Sequence, residues 1–285
     1  MIFVTGDVHD MDMGGADQDW LRRNSELTEM ECAVKYGEIA ARSGVPVTLF
    51  LTGKAARQEN ETLTSLLENE FVEVGGHTWN ALRPSWIHHL WKRLWGTFYG
   101  PAWFQRRDIA RTLHVLEDAK RGKVEVWRTH GYRGTDKTEE LLSRAGVRVV
   151  SDAIGPSEKA RALSDELLSV PINVPPDHEH LYHGNYDISG EGANGGMKKI
   201  IREALGAEGR KRAFCDRRLM GKDWWEWVRD ELEKRLKEFG FATLLLHPAC
   251  MEILDGMELL EEIFDFLGER DCAFLSEAKN RACKT

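Results

Sequence analysis

No apolar run in the 285-residue chain approaches the roughly 20 residues that cross a bilayer, which excludes a spanning helix. Cysteine is scarce: Cys32, Cys215, Cys250, Cys272 and Cys283 are scattered, odd in number and without C-x-x-C spacing. That pattern argues against a disulfide frame or a cysteine-zinc site and for reduced thiols in a cytoplasmic protein. Positive charge is also short. A formal net charge of -8 argues against a general nucleic-acid binder, because phosphate contacts need net or local positive charge. Linker-like stretches, internal repeats and low-complexity runs are missing, so residues 1–285 are expected to form a single domain. Its 42% hydrophobic content suffices for one barrel-sized core. The apolar stretch at Ile2 to Val4 leads to the expectation that no signal peptide precedes the fold.

What is present alternates between helix and strand. Ser25 to Ser43 reads as a helix with a Thr28/Glu31 capping box and Gly44 as its stop; Glu61 to Asn69, Arg107 to Arg121 and Thr138 to Ala145 read similarly. Each is followed by a short apolar strand: Val45 to Thr52, Phe71 to Val74, Val124 to Trp127 and Val147 to Ser151. Further on, Asp223 to Phe239 and Met257 to Leu267 are helical, and Ala242 to Leu246 and Cys272 to Leu275 are strands. In such a chain the loops after the strands gather on one face, so residues at strand ends converge. Four strand ends carry polar groups suited to hydrolysis at a metal: Asp7 and His9, His77-Thr78, Arg128-Thr129-His130, and His247-Pro248.

Thr5-Gly6-Asp7-Val8-His9, Val47 to Gly53, Val74-Gly75-Gly76-His77-Thr78-Trp79, Trp127-Arg128-Thr129-His130-Gly131-Tyr132 and Leu244 to Pro248 fall in the order of the polysaccharide deacetylase (NodB-homology) motifs. The resemblance spans nearly the whole chain. It implies an α/β fold, a distorted (β/α) barrel, and removal of acyl groups from sugar amides with a divalent metal, usually zinc. It implies that Asp7 is the general base, His77 the first metal histidine, Arg128 the arginine of the third motif and His247 the acid. Trp79, His130 and Tyr132, in the same motifs, are expected to contact substrate. Two positions depart from the pattern. Val8 stands where the family has a second aspartate, and Ala81 stands where the second histidine of H-x-x-x-H would be.

The residues offer replacements. His9 lies two beyond Asp7 and would point to the same side of an extended strand, and imidazole suits zinc. For the second histidine, His88 and His89 lie in a helical pattern and can face solvent. Pro175 to His180 follows a strand-like stretch, and His178 and His180 share a side if that segment is extended; a solvated polar loop is the bland alternative. The loop 175–196 is expected on the active face. Its glycines between Gly184 and Gly196 could mark a mobile lid, or an ordinary surface loop.

Between Trp79 and Phe104 lies a tryptophan-rich, basic segment. From Pro84 to Trp95 the apolar Trp86, Ile87, Leu90, Trp91, Leu94 and Trp95 fall on one helical face, with His88, His89, Lys92 and Arg93 on the other. Three readings follow: a core-packed helix, aromatic walls for sugar rings, or an amphipathic helix at a membrane interface, which would suit a lipid-linked substrate. The chain is expected to be a cytoplasmic, metal-dependent hydrolase of an N-acyl sugar. Two alternatives are a metal-free relative hydrolysing a small cyclic amide and an inactive carbohydrate-binding protein. Oligomeric state is not legible.

Overall fold

A computed structural model describes residues 1–182, 214–215 and 218–281. The glycine-rich stretch at 184–196, expected to form a lid or surface loop, lies outside the described residues, as does Cys283. Eleven strands are described: β1 (Ile2–Val8), β2 (Val47–Leu51), β3 (Val72–Gly76), β4 (Val126–Trp127), β5 (Val149–Val150), β6 (Arg161–Ala162), β7 (Leu168–Ser169), β8 (Leu181–Tyr182), β9 (Leu219–Met220), β10 (Ala242–Leu245) and β11 (Cys272–Ala273). The principal helices are α1 (Ala16–Asn24), α2 (Glu29–Arg42), α3 (Gly53–Gln58), α4 (Asn60–Leu67), α5 (Ser85–Trp95), α6 (Ala102–Lys120), α7 (Asp136–Arg144), α8 (Asp177–His180), α9 (Gly221–Phe239), α10 (Pro248–Asp255) and α11 (Glu258–Gly268).

The main sheet runs β10-β1-β2-β3-β4-β5-β7-β6, with β11 also paired to β1; only β6 is antiparallel, against β7. Parallel strands need crossovers, and the helices supply them, covering the outer face. β1 is buried along its whole length. Helix α2 starts where the capping box demanded: Thr28 Oγ1 accepts from Glu31 N (3.2 Å) and Glu31 Oε2 from Thr28 N (2.7 Å). Helix α6 begins earlier than the hydrophobic pattern suggested, at Ala102 directly after Pro101.

Two apolar clusters lie on opposite faces of this curled sheet. The larger packs the helices against Ile2, Val4 and Val8, while the smaller fills the inside with Phe3, Phe50, Val126, Val149 and Val170. Between the chain after β7 and β10 no backbone ladder is formed among the described residues. A side chain spans the gap instead: Asn173 Nδ2 donates to Phe241 O (3.4 Å), and its Oδ1 accepts from Thr243 N (2.9 Å). A fully buried amide thereby stands in for a strand's own N–H and C=O, which a buried edge would otherwise leave unmatched. The result is the distorted barrel expected from the sequence.

Candidate functional site

Strand alternation makes β1 a ladder up the inside of the barrel. Phe3 sits in the inner apolar cluster, Thr5 and Asp7 follow above it, and His9 comes just past the strand end. Val8 points the other way, fully buried against the helices. Parallel pairing sets Phe50 beside Asp7 and Gly75 beside Phe50. Gly75 and Gly76 are required by close packing: a Cβ on Gly75 would meet Phe50 and Val126, and one on Gly76 would meet the Trp127 ring.

Arg128 follows β4 and is completely buried. Its Nη1 donates to Asp7 Oδ1 (2.8 Å), Nη2 to Thr5 Oγ1 (3.0 Å) and Ser151 Oγ (2.9 Å), and Nε to Ser151 O (3.2 Å). The guanidinium carbon lies 4.4 Å from the centre of the Phe50 ring. Burial alone would favour the neutral acid at Asp7. The Arg128 charge, followed by smaller contributions from His77, His247 and His9, outweighs it and holds the carboxyl well below the usual carboxylate range.

Three imidazoles face one another across this floor. Ring centroids are 5.1 Å apart for His9–His77, 5.1 Å for His9–His130 and 5.2 Å for His77–His130. One nitrogen from each lies within 4.8 Å of the others. The outer nitrogens are tied. His77 Nδ1 is 2.9 Å from the Arg128 carbonyl, which can only accept, so the Nδ1 proton is fixed there and Nε2 carries the lone pair. His9 Nδ1 is 3.1 Å from Glu29 Oε2, which also accepts from the His9 backbone N (2.8 Å), and Gln18 Nε2 donates to the other Glu29 oxygen. His77 Nε2 faces His130 Nδ1 at 3.2 Å. Burial pushes His77 down to about 3 and His130 well below its ordinary value, so both are neutral. At His9 burial opposes charge but the Glu29 carboxylate prevails and raises its pKa. Among the described residues His9 Nε2 is buried with no hydrogen-bond partner. An orphaned imidazole nitrogen, two neutral neighbours and acceptors behind His9 and His77 together fit a divalent cation of the zinc type.

His247 approaches from the opposite side of Asp7. Its Nε2 is 3.8 Å from Asp7 Oδ2, and His77 Nε2 is 3.7 Å from the same oxygen. Asp177, fully buried, holds His247 through both ring and backbone: Nδ1 to Oδ1 is 2.8 Å and the backbone N donates to Oδ2 at 2.6 Å. Burial works against the imidazolium, but Asp177, with Asp7 behind it, lifts the pKa to about 9. Asp7, His9, His130 and His247 line a cleft of about 440 Å³ whose wall also includes Asp17, Arg83, Tyr132 and His178.

Several expected positions fall elsewhere. Residues 177–180 form the short helix α8, not an extended segment, so His178 and His180 turn to different sides. His178 faces the His247 ring (centroids 5.3 Å), whereas buried His180 packs edge-on to Trp227 (5.3 Å). His130, expected against substrate, completes the histidine trio. Tyr132 lines the cleft; Trp79 does not, lying beneath Arg111 at 3.5 Å with its backbone N bonded to both Asp108 oxygens. His89 is exposed, and His88 is buried away from the cleft, its Nδ1 2.8 Å from Phe98 O. Glu29 and Asp177 carry orienting roles that the motifs did not single out.

Residues 31–150 match the family model of polysaccharide deacetylase. Over that stretch, less than half of its length, the chain is similar to the polysaccharide deacetylase family. Among solved structures, the chain is similar to one described as a polysaccharide deacetylase from Mycobacterium smegmatis: TM-score 0.70, 17% identity, 99% of this chain and 89% of that one covered. A counterpart described likewise from Pseudomonas aeruginosa PAO1 gives 0.60 and 12%, covering 99% and 89%. Puue allantoinase gives 0.58 and 9%, covering 96% and 85%. At these identities the likeness is one of fold. No curated protein matches the chain by sequence.

Proposed function

We propose that this chain is a metal-dependent hydrolase that removes an N-acyl, acetyl-like group from a sugar or glycan. The observation that carries the reading is the placement of ionised Asp7 between a three-imidazole cluster and a protonated histidine, in one cleft. His9 Nε2, His77 Nε2 and His130 Nδ1 would hold the cation, which when bound lowers the pKa of water and polarises a carbonyl. Asp7 Oδ2 takes the proton of the attacking water, and Arg128 keeps that carboxylate charged and aimed. His247 Nε2–H gives its proton to the departing nitrogen, with Asp177 holding the ring in place. His9 thereby replaces the family's second aspartate, and His130 replaces the histidine missing at Ala81.

Turnover of an N-acetylated sugar oligomer by metal-depleted and zinc-reconstituted protein tests this. Activity should vanish on depletion and return with about one equivalent of metal. Full activity in metal-free protein would favour hydrolysis of a small cyclic amide instead, and retained sugar binding with no turnover would favour a binding protein.

We infer further that α5 meets an anionic lipid surface, so that the substrate is lipid-linked and the protein works at the cytoplasmic face of a membrane. Trp86, Leu90, Leu94 and Trp95 on α5, and Trp103 just beyond, are exposed large apolar side chains, and Arg83, Lys92, Arg93, Arg106 and Arg107 around them are exposed as well. Arg83, which also lines the cleft, places the start of this helix beside the site. Four described cysteines are free, in keeping with a reducing compartment.

A further inference from the structure

His178 and His247, on the wall of the cleft, and the buried Cys250 make a second set of metal-binding groups that the proposed reaction does not use as a set. Cys250 lies in the first turn of α10, where Pro248 at the helix start and His247 as its cap turn it inward. It is fully buried, and its Sγ lies 3.7 Å from His178 Nδ1 on α8. The His178 ring in turn lies tilted against that of His247, with centroids 5.3 Å apart, and one ligand atom each from His178, His247 and Cys250 lies within 4.8 Å of the other two. Asp17 Oδ2, from α1, is 3.7 Å from His178 Nδ1. Three chain segments far apart in sequence thus bring a thiol, two imidazoles and a carboxylate together.

We propose that Cys250, His178 and His247, with Asp17 in reach, form a second divalent-cation site whose occupation switches the enzyme off. A thiol–imidazole–carboxylate set selects zinc or a metal of similar softness over magnesium or calcium, which prefer oxygen. Asp177 engages His247 Nδ1, so Nε2 is the atom left for the cation. That is the atom proposed to carry the proton to the leaving nitrogen. Binding releases the Cys250 thiol proton and the His247 Nε2 proton to solvent, and the lone pair that held the catalytic proton becomes a metal bond. The inhibitory consequence rests on the proposed role of His247; the binding itself does not.

The test is a titration of Co²⁺, then Zn²⁺, into protein already holding one equivalent at the His9–His77–His130 cluster. A second equivalent should bind with a near-ultraviolet sulfur-to-cobalt charge-transfer band, and turnover should fall about a hundredfold as it binds, the scale of a lost general acid. Cys250→Ser should abolish the band. His178→Gln, at a half-exposed position, should weaken it without touching the core. Both should keep the first equivalent, and Cys250→Ser should keep basal turnover and tolerate excess metal. A band that persists in Cys250→Ser, no second equivalent in the wild type, or a second equivalent with undiminished turnover would overturn the proposal. Turnover independent of all metal would overturn the proposed function instead, and the cobalt band would still decide whether the second site exists.

Discussion

The cleft and helix α5 adjoin one another through Arg83, yet they are built in opposite ways. In the cleft, charged groups are buried and matched. Arg128 is 0% exposed and makes four hydrogen bonds, and Asp7, His77 and Asp177 each have named partners. On α5 apolar groups are exposed and unmatched: Trp86 at 67%, Leu94 at 60% and Trp95 at 54%. A buried charge left without a partner is costly, so the fold must fix each cleft residue in place. An exposed tryptophan imposes no such demand on its own chain. Changes in the cleft should therefore damage chemistry or folding, and changes on α5 should spare both.

The largest effect is expected at Asp7. Asp7→Asn keeps the shape but removes the proposed proton acceptor, and turnover should fall by about 10² to 10⁴ with the circular dichroism spectrum unchanged. Retention of a tenth of wild-type turnover would break the assignment. Next comes Arg128→Ala, which leaves the Asp7 carboxylate buried without its guanidinium. Loss of one partner of a buried pair should lower unfolding free energy by about 3 to 5 kcal/mol, measured by denaturant titration.

A subtler change is expected at Asp177. In the proposed reaction His247 acts with its proton on, so turnover should decline as pH rises through its raised pKa of about 9. Asp177→Asn removes the carboxylate that does the raising, and the alkaline limb should move to lower pH. The sign for stability agrees: with the folded pKa above the ordinary 6.5, the stabilisation is complete below that value and is lost as pH climbs through about 9. An alkaline limb unmoved in Asp177→Asn would detach His247 from the proton transfer.

The smallest effects on folding belong to α5. Trp86→Ala and Trp95→Ala should each change stability by no more than about 0.5 kcal/mol, as at open surface positions, while weakening flotation with anionic vesicles. Lys92→Ala should weaken flotation by about 1 kcal/mol at low salt and less at high salt. Large melting shifts without any vesicle binding would return α5 to the core.

This helix also shows where the sequence was readable and where it was not. Its amphipathic pattern was plain, but the inward side was not. The chain turns His88 inward because Nδ1 finds the Phe98 carbonyl and the ring packs against Phe98, Trp91 and Phe104. In the cleft, strand alternation alone placed Asp7 and His9 on one side. His130 as the partner of His77 was harder to see, because a spacing of four was the expected form. Thr78, Ala81 and Leu82 adopt left-handed backbone, and no helical turn follows His77 to present a second histidine. The neighbouring strand does so, since β3 pairs Gly76 with Trp127 and brings the loop after Arg128 alongside. Glu29 and Asp177 act only through tertiary contacts, for which no local spacing exists. His178 and His180 were read as extended, but Pro175-Pro176 leads into a helical turn that separates them.

The most direct test of the account is metal stoichiometry in His130→Ala beside the wild type, with one equivalent of zinc supplied and circular dichroism as the control for folding. The account predicts about one tightly held zinc in the wild type and none in the variant, because a first-ligand imidazole is lost. A variant that still holds one tight equivalent at its original site would contradict it.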